Sequence, residues 1–335
     1  MTGMHVVVTG AAGFIGSHVV EALVAAGHRV TGVDSFDGYL YPAEVKRRNA
    51  ADLARLPGDR FRLVEADICD EAALRRLVGA DDVDVVCHLA ALAGVRPSLA
   101  EPLRYVRTNV HGTTALLEAM RHGRCRRLVF ASSSSVYGAR GEGDLRQVAA
   151  FREDDPCVTP ASPYAATKRA GELVCSTYRD LFGIGTASLR FFTVYGPRQR
   201  PDMAIRRFVA AIAAGKPITM FGDGSSRRDY TFIDDIVAGV VAAIERVAPA
   251  AYGIYNLGNT ATISLAELVA LIEVVVGRAA VVERVPDQPG DVPVTYADIT
   301  RASRDLGYQP TTTVEAGIRR FWDWFRTDQI RTESR

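Results

Sequence analysis

A tyrosine and a lysine near the middle of the chain stand at a spacing that can move a proton. Residues 162–168 read SPYAATK, which places Tyr164 and Lys168 four residues apart at the start of a predicted helix. Residues at positions i and i+4 lie on one face of a helix. A phenol with a pKa of about 10 is a poor base at neutral pH, but a neighbouring cation stabilises the phenolate. The pair can therefore take a proton from a hydroxyl group, although this spacing also arises by chance in exposed helices.

Consecutive serines follow the fifth predicted strand, in the sequence ASSSSVYG, as Ser132, Ser133, Ser134 and Ser135. In open α/β sheets, ligands bind at the edge where the parallel strands have their carboxyl ends. A serine hydroxyl at this edge can hydrogen-bond a reacting oxygen while a carbonyl group forms. The alternative is that two of the serines only belong to a turn rich in small polar residues.

A glycine-rich turn near the N-terminus predicts a dinucleotide site. Residues 10–16 read GAAGFIG and directly follow the predicted strand HVVVT. Gly10 allows a tight turn, Gly13 lets the backbone approach a pyrophosphate, and Gly16 allows close packing of the next helix. Phe14 and Ile15 lie at the start of that helix, whose N-terminal amides point at the anion.

An aspartate at the end of the second predicted strand indicates which dinucleotide would bind. Asp34 lies 18 residues after Gly16, where its carboxylate can accept the adenosine ribose hydroxyls and repel a 2′-phosphate. The sequence therefore predicts NAD and not NADP. The alternative is that Asp34 only caps a turn in DSFDG. Arg47 and Arg48 lie too far along the chain for a simple 2′-phosphate clamp.

The elements that position these residues follow a regular rhythm. Short apolar runs at 5–9, 28–34, 60–65, 83–89 and 127–131 alternate with helical patterns. This rhythm predicts a Rossmann-type, doubly wound parallel α/β sheet, and nearly continuous apolar runs are typical of strands buried on both faces. Long helices are predicted at 99–122 and 164–181.

Glycine and proline separate shorter elements beyond Pro197, which predicts a smaller, mainly C-terminal α/β substrate domain. We expect an NAD-binding Rossmann domain at 1–192, to which 228–258 returns, and a mainly substrate-binding domain at 193–327. The polar stretch 328–335 is expected to be a frayed tail.

The composition favours a small-molecule partner over nucleic acid or a membrane. Forty basic and 39 acidic side chains among 335 residues give a net charge of +1, which would not attract polyanions. The basic run RHGRCRR (121–127) is typical of a solvated helix end. We expect a cytoplasmic protein, because no leader pattern or long apolar run is present and the five cysteines lack C-x-x-C spacing. No cluster of His, Cys, Asp and Glu has metal-ligand spacing.

Seven motifs together resemble those of the extended short-chain dehydrogenases/reductases, the NAD-dependent sugar-nucleotide epimerase and dehydratase family. They occur in the family's order and spacing within residues 4–327. The motifs are GAAGFIG, HLAA (88–91), SSSSVYG, SPYAATK, RFFTVYGP (190–197), RRDYTFIDD (227–235) and QPGDVP (288–293). The resemblance implies an NAD cofactor, a UDP-sugar substrate and a homodimer formed by the two long helices and their copies.

The resemblance also implies roles for individual residues. Tyr164, Lys168 and Ser133 would be catalytic, and Arg228 would clamp the diphosphate, since guanidinium groups suit phosphate oxygens. The cofactor would contact Gly10, Gly13, Phe14, Ile15, Gly16, Asp34, Asp67, Ile68, Leu89, Ala90, Ala91, Asn109, Ser132, Tyr164 and Lys168. The nucleotide sugar would contact Ser133, Ser134, Ser135, Thr193, Phe221, Arg228 and Asp291.

The residues after Ser133 separate the family's reactions. Related dehydratases carry Asp and then Glu there to remove the C6 hydroxyl as water, whereas this chain has Ser134 and Ser135. Without a carboxylic acid at either position, the general acid and base for elimination are missing. The expected reaction is therefore epimerisation, in which a C4 ketone forms, turns in the pocket and is reduced on its opposite face.

Several segments resemble the UDP-glucuronate 4-epimerases of the family, in which Ser134 and Ser135 would hold the C6 carboxylate. These segments are DSFDGYLYP (34–42), AGVRPS (93–98), RPDMA (200–204) and QPGDVP. One departure is GPRQ at 196–199, where the family usually resembles GPWG; Arg198 and Gln199 either contact the sugar or face solvent. UDP-glucose therefore stays open as an alternative substrate. Two further alternatives are a net dehydrogenase or 4-keto reductase, and a sensor or scaffold that binds NAD without turnover.

Overall fold

The computed structural model describes residues 3–80, 82–139, 148–286 and 292–333. Its strands are β1 (His5–Thr9), β2 (Arg29–Asp34), β3 (Phe61–Glu65), β4 (Val85–His88), β5 (Arg127–Ser133), β6 (Gly185–Phe191), β7 (Thr193–Tyr195), β8 (Ile218–Phe221), β9 (Arg227–Arg228), β10 (Tyr230–Phe232), β11 (Tyr252–Leu257), β12 (Ile263–Ser264) and β13 (Val282–Val285).

Helices follow most of the strands. They are α1 (Phe14–Ala25), α2 (Ala43–Leu53), α3 (Glu71–Val78), α4 (Val95–Ala100), α5 (Pro102–Tyr105), α6 (Gly112–His122), α7 (Pro163–Phe182), α8 (Ala204–Ala213), α9 (Ile233–Arg246), α10 (Leu265–Val276), α11 (Thr300–Leu306) and α12 (Val314–Glu333). A π-helical segment (Val106–His111) joins α5 to α6, and a 3₁₀ turn (Ser134–Tyr137) follows β5.

Seven strands form one parallel sheet in the order β11-β6-β5-β4-β1-β2-β3. The strand β1 is buried at all five positions, and its valines alternate between two apolar clusters, with Val6 and Val8 in one and Val7 in the other. This burial on both faces explains the continuous apolar runs in the sequence. The predicted Rossmann-type α/β fold is confirmed.

The strand order reverses direction at β1, since β2 and β3 lie on one side of it and β4, β5 and β6 on the other. The carboxyl ends of β1 and β4 therefore form a topological switch point, which is where open α/β sheets bind ligands. The glycine-rich turn after β1 and the serines at the end of β5 and in the turn that follows lie at this same edge. Strand order thus gathers residues that are far apart in sequence.

The C-terminal half contributes smaller strand pairs beside the main sheet: β7 with β10, β8 with β13, and β9 with β12. The strand β11 instead pairs with β6 at the edge of the main sheet. The helix α12 continues to Glu333, beyond residue 327, where the sequence analysis expects a frayed tail to begin. No helix in the described part of the chain is long and apolar enough to cross a membrane.

The prediction of a single helix at 99–122 is wrong. The helix α4 ends at Ala100, and Glu101 adopts φ −131° and ψ 63° before Pro102 begins α5. Proline disfavours the helical conformation of the residue before it and has no N–H to donate, which accounts for the break. The π-helical segment then changes the direction of side chains before α6. The helix predicted at 164–181 is confirmed as α7.

Candidate active site

One continuous pocket of about 520 Å³ crosses the carboxyl edge of the sheet. Asp67 and Ile68 follow β3 at one end of this edge, and Ser133 ends β5 toward the other. Of the residues singled out in the sequence, its wall includes Gly10, Gly13, Phe14, Ile15, Gly16, Asp34, Asp67, Ile68, Leu89, Ala90, Ala91, Ser132, Ser133, Ser134, Ser135, Tyr164, Lys168 and Thr193. The pocket therefore joins the dinucleotide motif to the tyrosine and lysine.

The glycine-rich turn has the geometry that a pyrophosphate cradle needs. Gly10 has φ +70°, and a Cβ there would lie 2.8 Å from the backbone nitrogen of Ala90. A Cβ on Gly16 would lie only 2.0 Å from the carbonyl oxygen of Gly10. Any larger residue would push the backbone away from the first turn of α1. The turn thus brings helix N-terminal amides to the pocket wall, as a bound pyrophosphate requires.

Asp34 is buried at the end of β2 and is held by its surroundings. Its carboxylate accepts backbone N–H groups from Ala12 at 3.1 Å and Phe36 at 2.9 Å. Lys46 on α2 lies 3.7 Å from the same carboxylate. Lys46 lines the pocket, and no pattern in the sequence separates it from the neighbouring Arg47. Arg47 instead pairs with Glu65, because adjacent helix positions face different directions.

A buried chain of polar groups supports the pocket wall after β4. His88 Nδ1 lies 2.7 Å from Thr9 Oγ1, and its Nε2 lies 3.1 Å from Thr113 Oγ1. Asn109 Nδ2 donates to Thr167 Oγ1 at 3.0 Å and to Leu92 O at 2.9 Å. The network therefore links the loop after β4 to α7, and Asn109 acts from behind the wall.

The buried His88 is expected to make the folded protein less stable in acid. Burial is the main cause that lowers its pKa from 6.5 to about 3, and the charge of Lys168 acts in the same direction. Between these values the unfolded chain binds a proton that the folded chain does not, so stability falls as pH drops from 6.5 toward 3. The slope is at most about 1.4 kcal/mol per pH unit for one group.

The measurement is urea unfolding of the wild type and His88→Asn at several pH values. We expect the stability difference between the two proteins to shrink as the pH falls. Burial raises the pKa of Asp229 to about 6, so its protonation stabilises the folded chain as the pH falls, which is opposite in sign to the effect of His88. Because both proteins contain Asp229, its contribution cancels in the comparison. Parallel stability curves for the two proteins would contradict the assignment.

The tyrosine and lysine lie at the start of α7, where the local sequence fixes the helix. Ser162 caps α7 by accepting the N–H of Ala165, and Pro163 occupies its first turn. Lys168 Nζ donates to the carbonyl oxygen of Ala131 on β5 at 2.7 Å. Tyr164 lines the pocket with Ser133, the last residue of β5, whose hydroxyl donates to Ser135 Oγ at 3.0 Å. The structure thus brings together the three residues that the sequence analysis expects to be catalytic.

Burial dominates the titration of both groups. It raises the pKa of Tyr164, while the hydrogen bond with Ser133 and the charge of Arg200 act to lower it. It lowers the pKa of Lys168 to about 8, against smaller raising effects from Cys175 and Glu172. A buried phenol and a buried ammonium therefore lie together in a site where a small added charge changes their proton affinity strongly.

Arg200 and Asp202 form part of the pocket wall that sequence reasoning did not assign. Arg200 is 15% exposed and donates to Asp202 at 3.0 and 2.6 Å and to Ala93 O at 3.3 Å. Both residues belong to the RPDMA segment, which resembles the family sequence but predicts no role for either residue. Both residues are far from Tyr164 in the sequence, so no local pattern indicates that they line the same pocket.

Some expected contacts lie elsewhere. Among the described residues, the wall does not include Asn109, Phe221 or Arg228. The guanidinium of Arg96 lies 4.0 Å from the ring centre of Phe221, and Arg228 donates to the carbonyl oxygens of Arg227 and Pro293. Asp291 lies outside the described residues. The substrate contacts proposed for these side chains stay predictions.

The departure at 196–199 does not reach the pocket. Arg198 forms an ion pair with Glu21 on α1. Gln199 is buried, and its Nε2 donates to Val194 O at 3.2 Å. Neither residue lines the described pocket wall. Within the described ranges, His, Cys, Asp and Glu also form no group of three that could hold a metal ion.

The chain belongs to the NAD dependent epimerase/dehydratase family, whose profile matches residues 6–258. This finding confirms the resemblance and the expected NAD-dependent epimerase class. UDP-glucuronate 4-epimerase of Thermodesulfobacterium geofontis is 40% identical over 321 residues, which cover 96% of this chain and 95% of that protein.

Solved structures give the same relationship. The crystal structure of UDP-glucuronic acid 4-epimerase from Bacillus cereus, in complex with UDP-glucuronic acid and NAD, matches with a TM-score of 0.89 and 39% identity. The match covers 97% of this chain and 99% of that one. UDP-glucose 4-epimerase of Thermotoga maritima, solved with UDP-glucose, has a TM-score of 0.85 and 29% identity, with 97% and 100% covered.

Proposed function

We propose that this enzyme interconverts UDP-glucuronate and UDP-galacturonate through a 4-keto intermediate. The observation that carries the proposal is the meeting of Ser133, Tyr164 and Lys168 in one pocket with Ser134 and Ser135. These two serines stand where dehydratases carry acids, so neither position supplies a general acid or base for elimination. The similarity to UDP-glucuronate 4-epimerases over nearly the whole chain supports the same reaction.

The pocket suits NAD, since it combines the glycine cradle after β1 with the buried Asp34 at the end of β2. Bound NAD would supply a hydride acceptor that returns the hydride to the same carbon. Asp34 would accept the adenosine ribose hydroxyls, and Asp67 and Ile68 would flank the adenine. The other proposed cofactor contacts are Gly10, Gly13, Phe14, Ile15, Gly16, Leu89, Ala90, Ala91, Ser132, Tyr164 and Lys168, with Asn109 supporting them from behind.

Proton transfer would fall to Tyr164. Its phenolic oxygen would take the proton of the C4 hydroxyl as the hydride leaves C4. It would return that proton to the C4 oxygen when the hydride adds to the opposite face of C4. Ser133 would hydrogen-bond the same C4 oxygen, because it lines the same pocket wall as Tyr164. Lys168 would stabilise the phenolate, held in place by its bond to Ala131 O.

The sugar end of the pocket favours a substrate with a carboxylate. Ser134, Ser135 and Thr193 offer neutral hydroxyl donors, and Arg200 offers its positive charge and Nη1 group, since its Nε and Nη2 bond Asp202 and Ala93 O. A 4-keto uronate is a β-keto acid, which loses carbon dioxide when its carboxylate turns perpendicular to the ring. Donors fixed on both sides would hinder that rotation. The roles of Phe221, Arg228 and Asp291 toward the nucleotide remain proposals from the family resemblance.

Purified protein incubated with UDP-glucuronate and no added nicotinamide is expected to form UDP-galacturonate, as followed by proton NMR of the anomeric signals. Because the hydride returns to C4, we expect deuterium placed at C4 of the substrate to stay in the product in ordinary water. UDP-glucose incubated in parallel serves as the matched substrate without a carboxylate. Conversion there should be much slower.

Other outcomes would correct the proposal. Conversion of UDP-glucose alone would indicate a hexose 4-epimerase. A UDP-pentose product would mean that the serines fail to hold the carboxylate. A requirement for stoichiometric NAD would indicate net oxidation. If neither UDP-glucuronate nor UDP-glucose reacted, both epimerase assignments would be wrong and a binding role would be favoured.

We also propose a homodimer formed through α4, α5, the π-helical segment and α7. These helices carry exposed apolar side chains, which are unusual on a monomer surface when they lie close together. Leu103 is 83% exposed, Leu181 67% and Leu173 54%, and α4 and α5 both pack against α7. An isologous interface would bury this surface against its own copy.

The location and the domain division complete the proposal. The five cysteines are free thiols, and Cys87, Cys125, Cys157 and Cys175 are buried, which supports a reducing, cytoplasmic location. We propose that residues 1–192 and part of 228–258 hold the cofactor, because β11 and α9 pack with the main sheet and α1. Residues from 193 to 327 would mainly hold the nucleotide sugar.

A further inference from the structure

Two consecutive residues of β5 are tied to two consecutive turns of α7. Lys168 Nζ donates to the backbone oxygen of Ala131 at 2.7 Å. One helical turn later, Glu172 accepts the hydroxyl of Ser132 at 2.6 Å. Each bond fixes one point of the helix on the strand, and two points together fix both the rotation and the height of α7. The residue after Ser132 on the same strand is Ser133, beside Tyr164.

Glu172 is fully buried and every direction around its carboxylate is occupied. One oxygen accepts Ser132 and the Nε of Arg190 at 2.8 Å, and the other accepts Arg190 Nη2 at 2.9 Å and Arg169 Nη1 at 2.9 Å. The fork of Arg190, which is 1% exposed, prevents the carboxylate from turning. Its hydrogen-bond acceptor for Ser132 is therefore held in a fixed position.

Arg190 extends this rigid group to the chain that follows the serines. Its guanidinium lies 4.6 Å from the ring centre of Tyr137, at the end of the 3₁₀ turn, and it donates to Glu153 O at 3.3 Å. The hydroxyl of Tyr137 in turn donates to Asn256 on β11 at 2.6 Å. The serine-containing segment is thus held from its start at Ser132 and from its end at Tyr137.

A buried ion pair of this kind is weak evidence for stability, because removing two charges from water offsets most of their attraction. Its directional bonds to both the strand and the helix are better explained by a need for fixed geometry. We infer that Glu172 is a positioning residue: through Ser132 it holds the helix that carries Tyr164 and Lys168 in register with the strand end that carries Ser133.

The inference rests on the proposed function for its kinetic consequence, and its test begins with Ser132→Ala. Replacing Glu172 itself would leave the buried Arg190 without its partner and could unfold the chain. Ser132→Ala removes one hydrogen bond and leaves the ion pair in place. We expect kcat for UDP-glucuronate to fall about tenfold or more, because small displacements of reacting groups slow turnover strongly. Because Ser132 also lines the proposed cofactor cleft, kcat is measured with NAD added to saturation, and the KM for UDP-glucuronate should stay within about twofold.

Tyr178→Phe is the matched control. Its hydroxyl donates to the Glu118 carboxylate at 2.5 Å and ties the same helix, α7, to α6, farther along the helix from Tyr164. We expect a similar loss of thermal stability in both variants and a loss of kcat only in Ser132→Ala. A kcat within twofold of the wild type in Ser132→Ala would overturn the inference, as would a loss of NAD or a rise in KM that accounts for the whole effect.

Hydrogen-deuterium exchange gives a readout that does not depend on the substrate. Backbone amides in 130–137 and 162–170 should exchange faster in Ser132→Ala than in the wild type, and Tyr178→Phe should leave both ranges unchanged. Unchanged exchange in Ser132→Ala would overturn the inference whatever the activity. If the wild type converts no UDP-glucuronate while exchange changes as expected, the proposed function fails and the positioning role stands.

Discussion

Tyr164→Phe is expected to lower kcat for UDP-glucuronate by about 10²- to 10⁴-fold, the range that a positioned general base contributes. The phenylalanine ring keeps the shape of this buried side chain and removes only the oxygen that exchanges the proton. Ser133 and Lys168 stay in place, because Lys168 is held by Ala131 O and not by the phenol. The variant should therefore still bind NAD and UDP-glucuronate.

The measurement is single-turnover and steady-state kinetics, together with substrate affinity from calorimetry. Tyr105→Phe is the control, since Tyr105 is a buried tyrosine whose ring centre lies 6.2 Å from that of Tyr164 and whose hydroxyl donates to Ala93 O. It should lose little activity. If the kcat of Tyr164→Phe were within tenfold of the wild-type value, a group other than Tyr164 would be the general base.

The sequence predicted the first five strands to within two residues at each end. This worked because a strand buried on both faces must be apolar throughout, so β1 and β5 stand out against their polar surroundings. The glycine turn was equally readable, because its backbone conformation at Gly10 excludes most other residues. Both signals depend on local constraints.

Features that depend on contacts between distant segments could not be predicted from the sequence. Lys46 on α2 lies 3.7 Å from Asp34 at the end of β2, and helical periodicity alone does not say which face of α2 turns toward the pocket. The partner of Glu172 is Arg190 on another element, and no local pattern marks that pair. The π-helical segment was missed because its i to i+5 pattern leaves the apolar content of the helix unchanged.

The positions of Phe221 and Arg228 show a different limit. Family resemblance assigned both to the nucleotide, but the structure has Phe221 covered by Arg96 and Arg228 donating to backbone carbonyls. A motif carries the chemistry of a side chain and not its conformation. Both side chains lie outside the described pocket wall, and their contacts with a nucleotide stay predictions.

Arg200→Gln is expected to lower kcat/KM for UDP-glucuronate by about thirtyfold or more, equivalent to about 2 kcal/mol for removing one member of a partly buried charge pair. Two effects act together. The substrate carboxylate loses the positive charge and Nη1 group of Arg200, and Asp202 is left as an uncompensated negative charge in the pocket wall. The second effect repels a uronate and leaves UDP-glucose largely unaffected, so selectivity should fall with activity.

The double variant Arg200→Gln/Asp202→Asn separates these effects. It removes the repelling carboxylate, so it should recover part of the loss, and the part that remains measures the attraction between Arg200 and the substrate. Arg206→Gln is the matched control, because Arg206 is 13% exposed and donates to Gln199 O outside the pocket wall. If Arg200→Gln lowered kcat/KM for UDP-glucuronate and UDP-glucose equally, Arg200 would support the fold of the wall, and recognition of the carboxylate would rest on Ser134, Ser135 and Thr193.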